Sequence, residues 1–235
     1  MGAQLYIATG GMSTWYSNDS GQTFERHWSP SGLYSESRVW ALSSHPAAPG
    51  EVLAGTDSGV YRLDRATNKW THLPSVLDKL HVWSFARDPK NPDLILAGTR
   101  PAEIYRSEDR GKTWTALRSG IAENCPAVVI PRVTQILIDP HDSNAIWATV
   151  EIDGIWRSLD GGKTWAKHAT GAISEDGHGV ALVRKNGRRV LLMTTNEGLH
   201  VSHDEVGPGS SARCPSLGSI SVASRRAPTT AASCS

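Results

Sequence analysis

Several residue types and patterns are scarce in this chain of 235 residues, and each scarcity excludes a class of protein. The three cysteines, Cys125, Cys214 and Cys234, have no spacing typical of a disulfide framework or a zinc site. No run of about 18 apolar residues occurs, so the sequence predicts no membrane span. Lysine and arginine number 24 against 23 aspartates and glutamates, and this balance does not favour nucleic acid as a partner.

The sequence also lacks the usual signals of targeting and of cofactor chemistry. Residues 1–6 have neither the basic region nor the apolar stretch of a secretory leader. We therefore expect a soluble cytoplasmic protein, while a natural N-terminus further upstream would leave a periplasmic or secreted location open. No phosphate-binding loop, metal-ligand spacing or Ser–His–Asp grouping stands out, so we expect no cofactor and no bound metal.

Tryptophan, by contrast, is abundant, with nine residues against two phenylalanines, and most of the tryptophans lie in a repeat. Residues 155–165 read IWRSLDGGKTW, and residues 104–114 read IYRSEDRGKTW. A third copy, WYSNDSGQTF, spans residues 15–24, and degenerate copies begin at Tyr61 and Leu199. The aspartates of the five copies stand at 19, 64, 109, 160 and 204, a period of about 40–50 residues that is typical of propellers.

Each copy has the composition of a tight turn between two strands. An aromatic or apolar pair ends one strand, Trp or Phe begins the next, and Ser, Asp, Gly and Thr lie between them. The side-chain oxygens of Asp and Ser accept hydrogen bonds from nearby backbone amides. The aromatic residue after the turn is large enough to pack against a neighbouring sheet.

The pattern S-x-D-x-G-x-T-W resembles the Asp-box, or BNR, repeat, and the resemblance covers roughly residues 4–204. In proteins with this repeat the box is a folding device at the periphery of a β-propeller, away from any active site. The resemblance therefore implies a structural role for Ser17, Asp19, Gly21, Ser107, Asp109, Gly111, Trp114, Ser158, Asp160, Gly162 and Trp165.

Each repeat also contains four short runs with the alternation and β-branched content of strands. In the second repeat these runs are residues 39–43 (strand A), 51–56 (B), 60–63 (C) and 69–73 (D). Four strands per repeat predict an all-β propeller with four-stranded blades. About five blades are recognisable, at residues 1–30, 38–74, 81–118, 132–168 and 178–204, and the first blade lacks strand A.

Residues 205–235 depart from the repeat. After Asp204 the expected Gly-x-Thr-Trp is replaced by EVGPGS, and the remainder is rich in Ser, Ala, Arg and Pro. Two interpretations stay open. The segment is a degenerate or disordered tail that leaves the propeller incomplete, or residues 217–222 supply the strand that the first blade lacks.

The order of the strands predicts where a ligand would bind. The A–B and C–D turns lie on one face of a propeller, and the B–C and D–A connections lie on the other, around the axis. Polar residues stand before strand A in four blades: Arg38, His81, Arg132 and His178. The B–C turns add Asp57, Arg100, Glu103, Glu151, Asp153, Asn196 and Glu197.

We expect ligand binding by Arg38, His81, Arg132, His178, Asp57, Arg100 and Glu151. The fork-like donors of this set suit a carboxylate, a phosphate or a sulfated group, and the mixed charges suit a protein segment or a carbohydrate-like polar ligand. The chain also resembles bacterial proteins related to the photosystem II stability/assembly factor, over residues 39–62 and 135–165. That resemblance implies a non-catalytic scaffold that binds on its axial face.

The alternative function is a glycoside hydrolase. Such enzymes need two carboxyl groups that flank the scissile bond, and Asp57 with Glu151 or Asp153 would lie on the required face. The repeat also resembles that of sialidases and of two-lobed xyloglucanases. Sialidases have an Arg-Ile-Pro motif, which is absent here, where residues 130–132 read IPR.

Overall fold

The computed structural model describes residues 3–121, 129–168, 174–185 and 188–202. Within these ranges the chain forms 18 β-strands and one 3-10 turn at Ser29–Ser31, with no α-helix. No helix of this described part is long and apolar enough to cross a membrane. The predicted tail at 205–235 and its alternative, a closing strand at 217–222, lie outside the described residues.

The strands form five antiparallel sheets that follow one another along the chain. The first sheet contains β1 (Leu5–Ala8), β2 (Thr14–Ser17) and β3 (Glu25–Arg26). The second contains β4 (Val39–His45), β5 (Ala48–Thr56), β6 (Gly59–Asp64) and β7 (Lys69–Leu73). The third contains β8 (His81–Asp88), β9 (Asn91–Arg100), β10 (Ile104–Ser107) and β11 (Thr115–Ala116).

The fourth sheet contains β12 (Val133–Ile138), β13 (Ile146–Val150), β14 (Gly154–Ser158) and β15 (Ala166–His168). The described part of the fifth contains β16 (Gly177–Lys185), β17 (Arg188–Thr195) and β18 (Gly198–Ser202). Every sheet is a meander in which neighbours in sequence are neighbours in space. The first strands of successive sheets pack together, β4 on β8, β8 on β12 and β12 on β16, so they line a common axis. The predicted all-β propeller is confirmed, and the five sheets are its blades 1 to 5.

The hydrophobic core lies between the blades. Along β5, Val52 and Ala54 face the cluster shared with blade 1, whereas Leu53 faces the cluster shared with blade 3. Because strands such as β5 are covered on both faces, they are almost continuously apolar rather than alternating. The same arrangement joins blades 3 and 4 through Ile104 and Ile136, and similar clusters join blades 4 and 5.

The first strands of blades 2 to 5 each contain a β-bulge near their start. The pairing register shifts between Val39 and Ala41, between Val82 and Ser84, between Val133 and Gln135, and between Gly177 and Gly179. A bulge adds one unpaired residue, bends the strand and changes the direction of a side chain. The added residues are Trp40, Trp83, Thr134 and His178.

Candidate functional site

The three well-preserved Asp-box turns are closed hydrogen-bond networks in the C–D connections. In blade 3, the Ser107 hydroxyl donates to Asp109 Oδ1 (2.8 Å) and accepts from the amide of Gly111 (2.8 Å). Asp109 also accepts bonds from the amide and the hydroxyl of Thr113 (2.9 and 2.6 Å). The same bonds recur at Ser17 and Asp19, and at Ser158 and Asp160.

These bonds hold the box carboxyls in their ionised form. The side-chain and backbone bonds of Thr164 are the largest influence on Asp160, and they lower its pKa to about 2. Burial alone would raise the pKa of Asp109, but bonds from Thr113, Ser107 and Lys112 outweigh it and lower the pKa to about 2. A carboxyl that is saturated with donors and ionised down to such a pH cannot act as a general acid. The box residues therefore hold the turns together.

On the opposite face of the propeller, a threonine at the end of strand B forms hydrogen bonds that hold the B–C turn. The Thr56 hydroxyl donates to the carbonyl of Gly59 (2.9 Å) and accepts from the amide of Ser58 (3.0 Å). Equivalent bonds to carbonyls or from amides of the B–C turn are made by Thr9, Thr99 and Thr195. These bonds fix the B–C turns of blades 1, 2, 3 and 5, and the turns of blades 2 and 3 carry the predicted ligand-binding residues Asp57 and Arg100. The threonine recurs in four of the five blades, with Val150 at the equivalent position of blade 4, and that recurrence was the signal from which the threonines could have been found.

Three of the four polar residues that were predicted to stand before strand A lie at equivalent positions. Arg38, His81 and Arg132 each precede the valine that pairs with strand B immediately before the bulge, and in blade 3 His81 itself also pairs with Arg100. In blade 5 that pairing begins at Gly177, so the equivalent residue is Asp176. His178 is the bulged residue, and its Nε2 lies 3.3 Å from Asp176 Oδ2. The prediction that His178 occupies the fourth of these positions is wrong, because Gly177 takes the place that valine has in the other blades, and His178 follows that position instead of preceding it.

The arginine and histidine side chains of this face differ in whether they already have a hydrogen-bond or ion-pair partner. Arg38 is exposed, and within the described residues neither its side chain nor that of His81 has a hydrogen-bond or ion-pair partner. Arg132 forms an ion pair with Glu151 at 2.8 Å, with side chains 24% and 12% exposed. Arg100 Nε donates to the carbonyl of Ile130 (3.1 Å). Arg38 and His81 are therefore the members of the set best able to bind an incoming group.

Most carboxyls of the axial face have partners within the fold. Asp153 accepts bonds from Lys167 Nζ and from the indole of Trp156, each at 2.9 Å. Burial alone would lower the pKa of Lys167, but its bonds to Glu175 and Asp153 outweigh burial and raise the pKa. Glu103 Oε1 accepts from the amide of Ile104 and from the amide and hydroxyl of Ser119. Of the three carboxyls predicted for hydrolysis, Asp57 is the one without a partner among the described residues.

An aromatic column at the axis was missed in the sequence. The rings of Trp40 and Trp83 stack with centroids 4.1 Å apart and planes 10° from parallel. The guanidinium carbon of Arg132 lies 4.0 Å from the centroid of Trp83, which is cation–π geometry. Packing between blades was the role expected of the tryptophans, yet these two occupy the bulges of inner strands. Their shared position, two residues after Arg38 and His81, was the available signal.

No group of three or more His, Cys, Asp or Glu side chains that would suit a metal ion occurs in the described part of the chain. The candidate site is a polar axial face. It contains the side chains of Arg38 and His81, which have no partner among the described residues, and a column of two tryptophans. Hydrogen bonds fix the surrounding turns.

The sequence profile of the BNR-Asp box repeat matches residues 104–117. The chain is 28% identical over 145 residues to vacuolar protein sorting/targeting protein 10 of Mycosarcoma maydis. The aligned region covers 62% of this chain and 8% of that protein. It is 32% identical over 88 residues to a probable oligoxyloglucan-reducing end-specific xyloglucanase of Neosartorya fischeri, covering 34% of this chain and 10% of that protein. The chain thus spans a tenth or less of the curated relatives that it matches.

Solved structures with the same fold include hydrolases and a peptide-binding protein. An ancestral GH74 enzyme superposes with a TM-score of 0.69 at 17% identity, over 86% of this chain and 28% of that one. YCF48 bound to a D1 peptide superposes with a TM-score of 0.56 at 16% identity, over 86% of this chain and 68% of that one. At such identities the similarity shows the fold alone. The chain carries Asp-box repeats and has the fold of the Asp-box propellers, among which are both enzymes and binding proteins.

Proposed function

We propose that the protein is a non-catalytic scaffold whose axial face binds an extended, acidic segment of another protein. The observation that carries this proposal is the pairing of the carboxyls on that face. Glu151 already has Arg132 as a partner, and Asp153 already has Lys167. Glycoside hydrolysis needs two carboxyl groups with distinct roles, whereas Asp57 alone lacks a partner among the described residues.

The free groups support an acidic ligand. Arg38 and His81 present unpaired donors at the start of adjacent inner strands, and Arg100 and Arg132 add positive charge beside them. An arginine binds a carboxylate through two parallel hydrogen bonds. A peptide is the favoured form of such a ligand because YCF48, which shares the fold, has been solved with a peptide bound. Fold similarity by itself supports function only weakly, so the charges carry the argument.

The test measures peptide binding by fluorescence anisotropy. The probes are a fluorescein-labelled peptide of twelve residues with four glutamates and the same peptide with lysines at those positions. We expect the acidic peptide to bind and Arg38→Ala to weaken its binding roughly tenfold, about 1.4 kcal/mol. Lys112→Ala is the matched control, since Lys112 is an exposed cation on the Asp-box face. Equal losses in the two variants, or preference for the lysine peptide, would contradict the proposal.

The hydrolase alternative is tested on the same preparation. Xyloglucan oligosaccharides and nitrophenyl β-glucosides are incubated with the protein, and released reducing ends or nitrophenol are measured. We expect no turnover above the background of an Asp57→Asn variant. Turnover that disappears in Asp57→Asn or Glu151→Gln would replace the scaffold with an enzyme.

A further inference from the structure

The column of Arg132, Trp83 and Trp40 ends at Trp40. Trp83 belongs to blade 3 and lies on one side of Trp40, and the other side of blade 2 is occupied by blade 1. The part of blade 1 beside Trp40 is the turn that contains Gly10 and Gly11. A Cβ atom added at Gly10 would lie 3.8 Å from Cζ3 of Trp40, and one added at Gly11 would have no atom within 4 Å. The residue of this turn that lies beside Trp40, Gly10, therefore has no side chain.

This turn is held in a fixed position. Gly10 forms an isolated β-bridge with Arg38, and the amide of Val39 donates to the carbonyl of Thr9 (2.8 Å). The Thr9 hydroxyl also bonds to the carbonyl of Ser13 (2.7 Å), which closes the turn. Because the turn is bonded on both sides, Gly10 and the open space at Gly11 are held in a fixed position beside the start of β4.

The chemistry around this space is aromatic on one side and cationic on the other. Trp40 is partly exposed, and its neighbour two residues earlier, Arg38, is exposed with no partner among the described residues. Aromatic rings prefer offset-stacked or edge-to-face contact with another ring. An arginine such as Arg38 binds a carboxylate through two parallel hydrogen bonds.

We propose that Trp40 binds an aromatic side chain of the partner segment, which adds the next layer to the column, while an adjacent carboxylate pairs with Arg38. This inference rests on the proposed function, and it adds a sequence requirement: an aromatic residue next to an acidic one. Gly10 has a role in it, since a larger side chain there would contact the ring of Trp40 and compete with the ligand ring for it.

The test compares two labelled acidic peptides of twelve residues that differ at one central position, tyrosine or leucine. With the unaltered protein we expect the tyrosine peptide to bind roughly two- to tenfold more tightly, the range typical of one aromatic pair. Trp40→Leu should abolish this difference and leave the binding of the leucine peptide within about twofold. Trp28→Leu is the matched control, because Trp28 is 60% exposed and lies next to the 3-10 turn of blade 1.

A second variant keeps the test decisive if Trp40→Leu does not fold. Gly10→Val covers the same ring without removing it, and Gly10 has no positive φ, unlike Gly11 at 133°. We expect Gly10→Val to abolish the tyrosine preference as well. Equal binding of the two peptides by the unaltered protein would overturn this inference and leave the scaffold intact. Binding of neither peptide would overturn both, and so would displacement of the tyrosine peptide by xyloglucan oligosaccharides.

Discussion

Replacement of Gly98 by alanine is the sharpest test of how the blades pack. Gly98 lies in β9, opposite Ser84 of β8, at the point where blade 3 meets the first residue of β12. A Cβ atom at this position would lie 2.6 Å from Cγ1 and 2.7 Å from Cβ of Val133, and it would also overlap the hydroxyl of Ser84. Real Cβ contacts of that length essentially do not occur, so the side chain of Ser84 must move and blades 3 and 4 must shift apart at Val133.

The cost follows from the groups that are displaced. Forcing an extra methyl group into a packed core costs about 1–3 kcal/mol. The Ser84 hydroxyl donates to the carbonyl of Val133 (3.0 Å), a buried bond between blades, and its loss adds about 0.5–1.5 kcal/mol. We therefore expect Gly98→Ala to lower the free energy of unfolding by about 2–4 kcal/mol.

The control is Gly50→Ala in β5. Gly50 is exposed, has no positive φ, and an added Cβ would have no atom within 4 Å. We expect a change within about 0.5 kcal/mol for this variant. Both variants are unfolded with urea and followed by tryptophan fluorescence and circular dichroism, with the midpoint and the m-value compared. Equal midpoints for Gly98→Ala and Gly50→Ala would refute the close approach of blades 3 and 4 at this position.

Three further predictions concern the turns and the core. Ser107→Ala leaves the buried amide of Gly111 without its acceptor, so we expect a loss of about 1–3 kcal/mol in urea unfolding; Ser44→Ala, at an exposed position of β4, should be neutral. Because the folded-state pKa of Asp109 and Asp160 is about 2 against an ordinary value of 3.8, their contribution to stability is complete above that ordinary value. That contribution falls as the pH drops from about 4 to 2. We expect the Tm of Asp160→Asn to decline less steeply over that window than the Tm of the unaltered protein, and an equal or steeper decline would contradict this role. Trp147→Ala, at a fully buried position, should cost about 3–5 kcal/mol by the same urea assay, and a loss below about 1 kcal/mol would show that the site is not tightly packed.

The strands and turns of this chain were readable because they depend on local chemistry. The predicted strand at 69–73 agrees with the observed β7 at Lys69–Leu73. The Asp-box turns were recognised because all their bonds join residues within seven positions of one another. The predicted strand at 51–56 is too short, since β5 begins at Ala48. Two prolines near His45 favoured a longer turn, but the pairing of His45 with Ala48 extends the hairpin.

The candidate site was predictable only as a face. Sequence placed Arg38, His81 and Arg132 at equivalent positions, and their register agrees. It could not place His178, because in blade 5 Gly177 stands where the other blades have the valine that marks the position. It also could not tell that Glu151 and Asp153 form ion pairs, since each ion-pair partner lies 14 or more residues away along the chain.

The sequence by itself determined the repeat, the strand content and the chemistry of the corners, since each of these is decided by residues that are neighbours along the chain. The tertiary structure decided which charges remain free at the axis and which tryptophans stack there. Trp40 and Trp83 lie in different blades, and their contact exists only because two inner strands are packed side by side, each with a bulge at the same level. Contacts of this kind depend on distances between blades, which no pattern of residue types along one strand specifies.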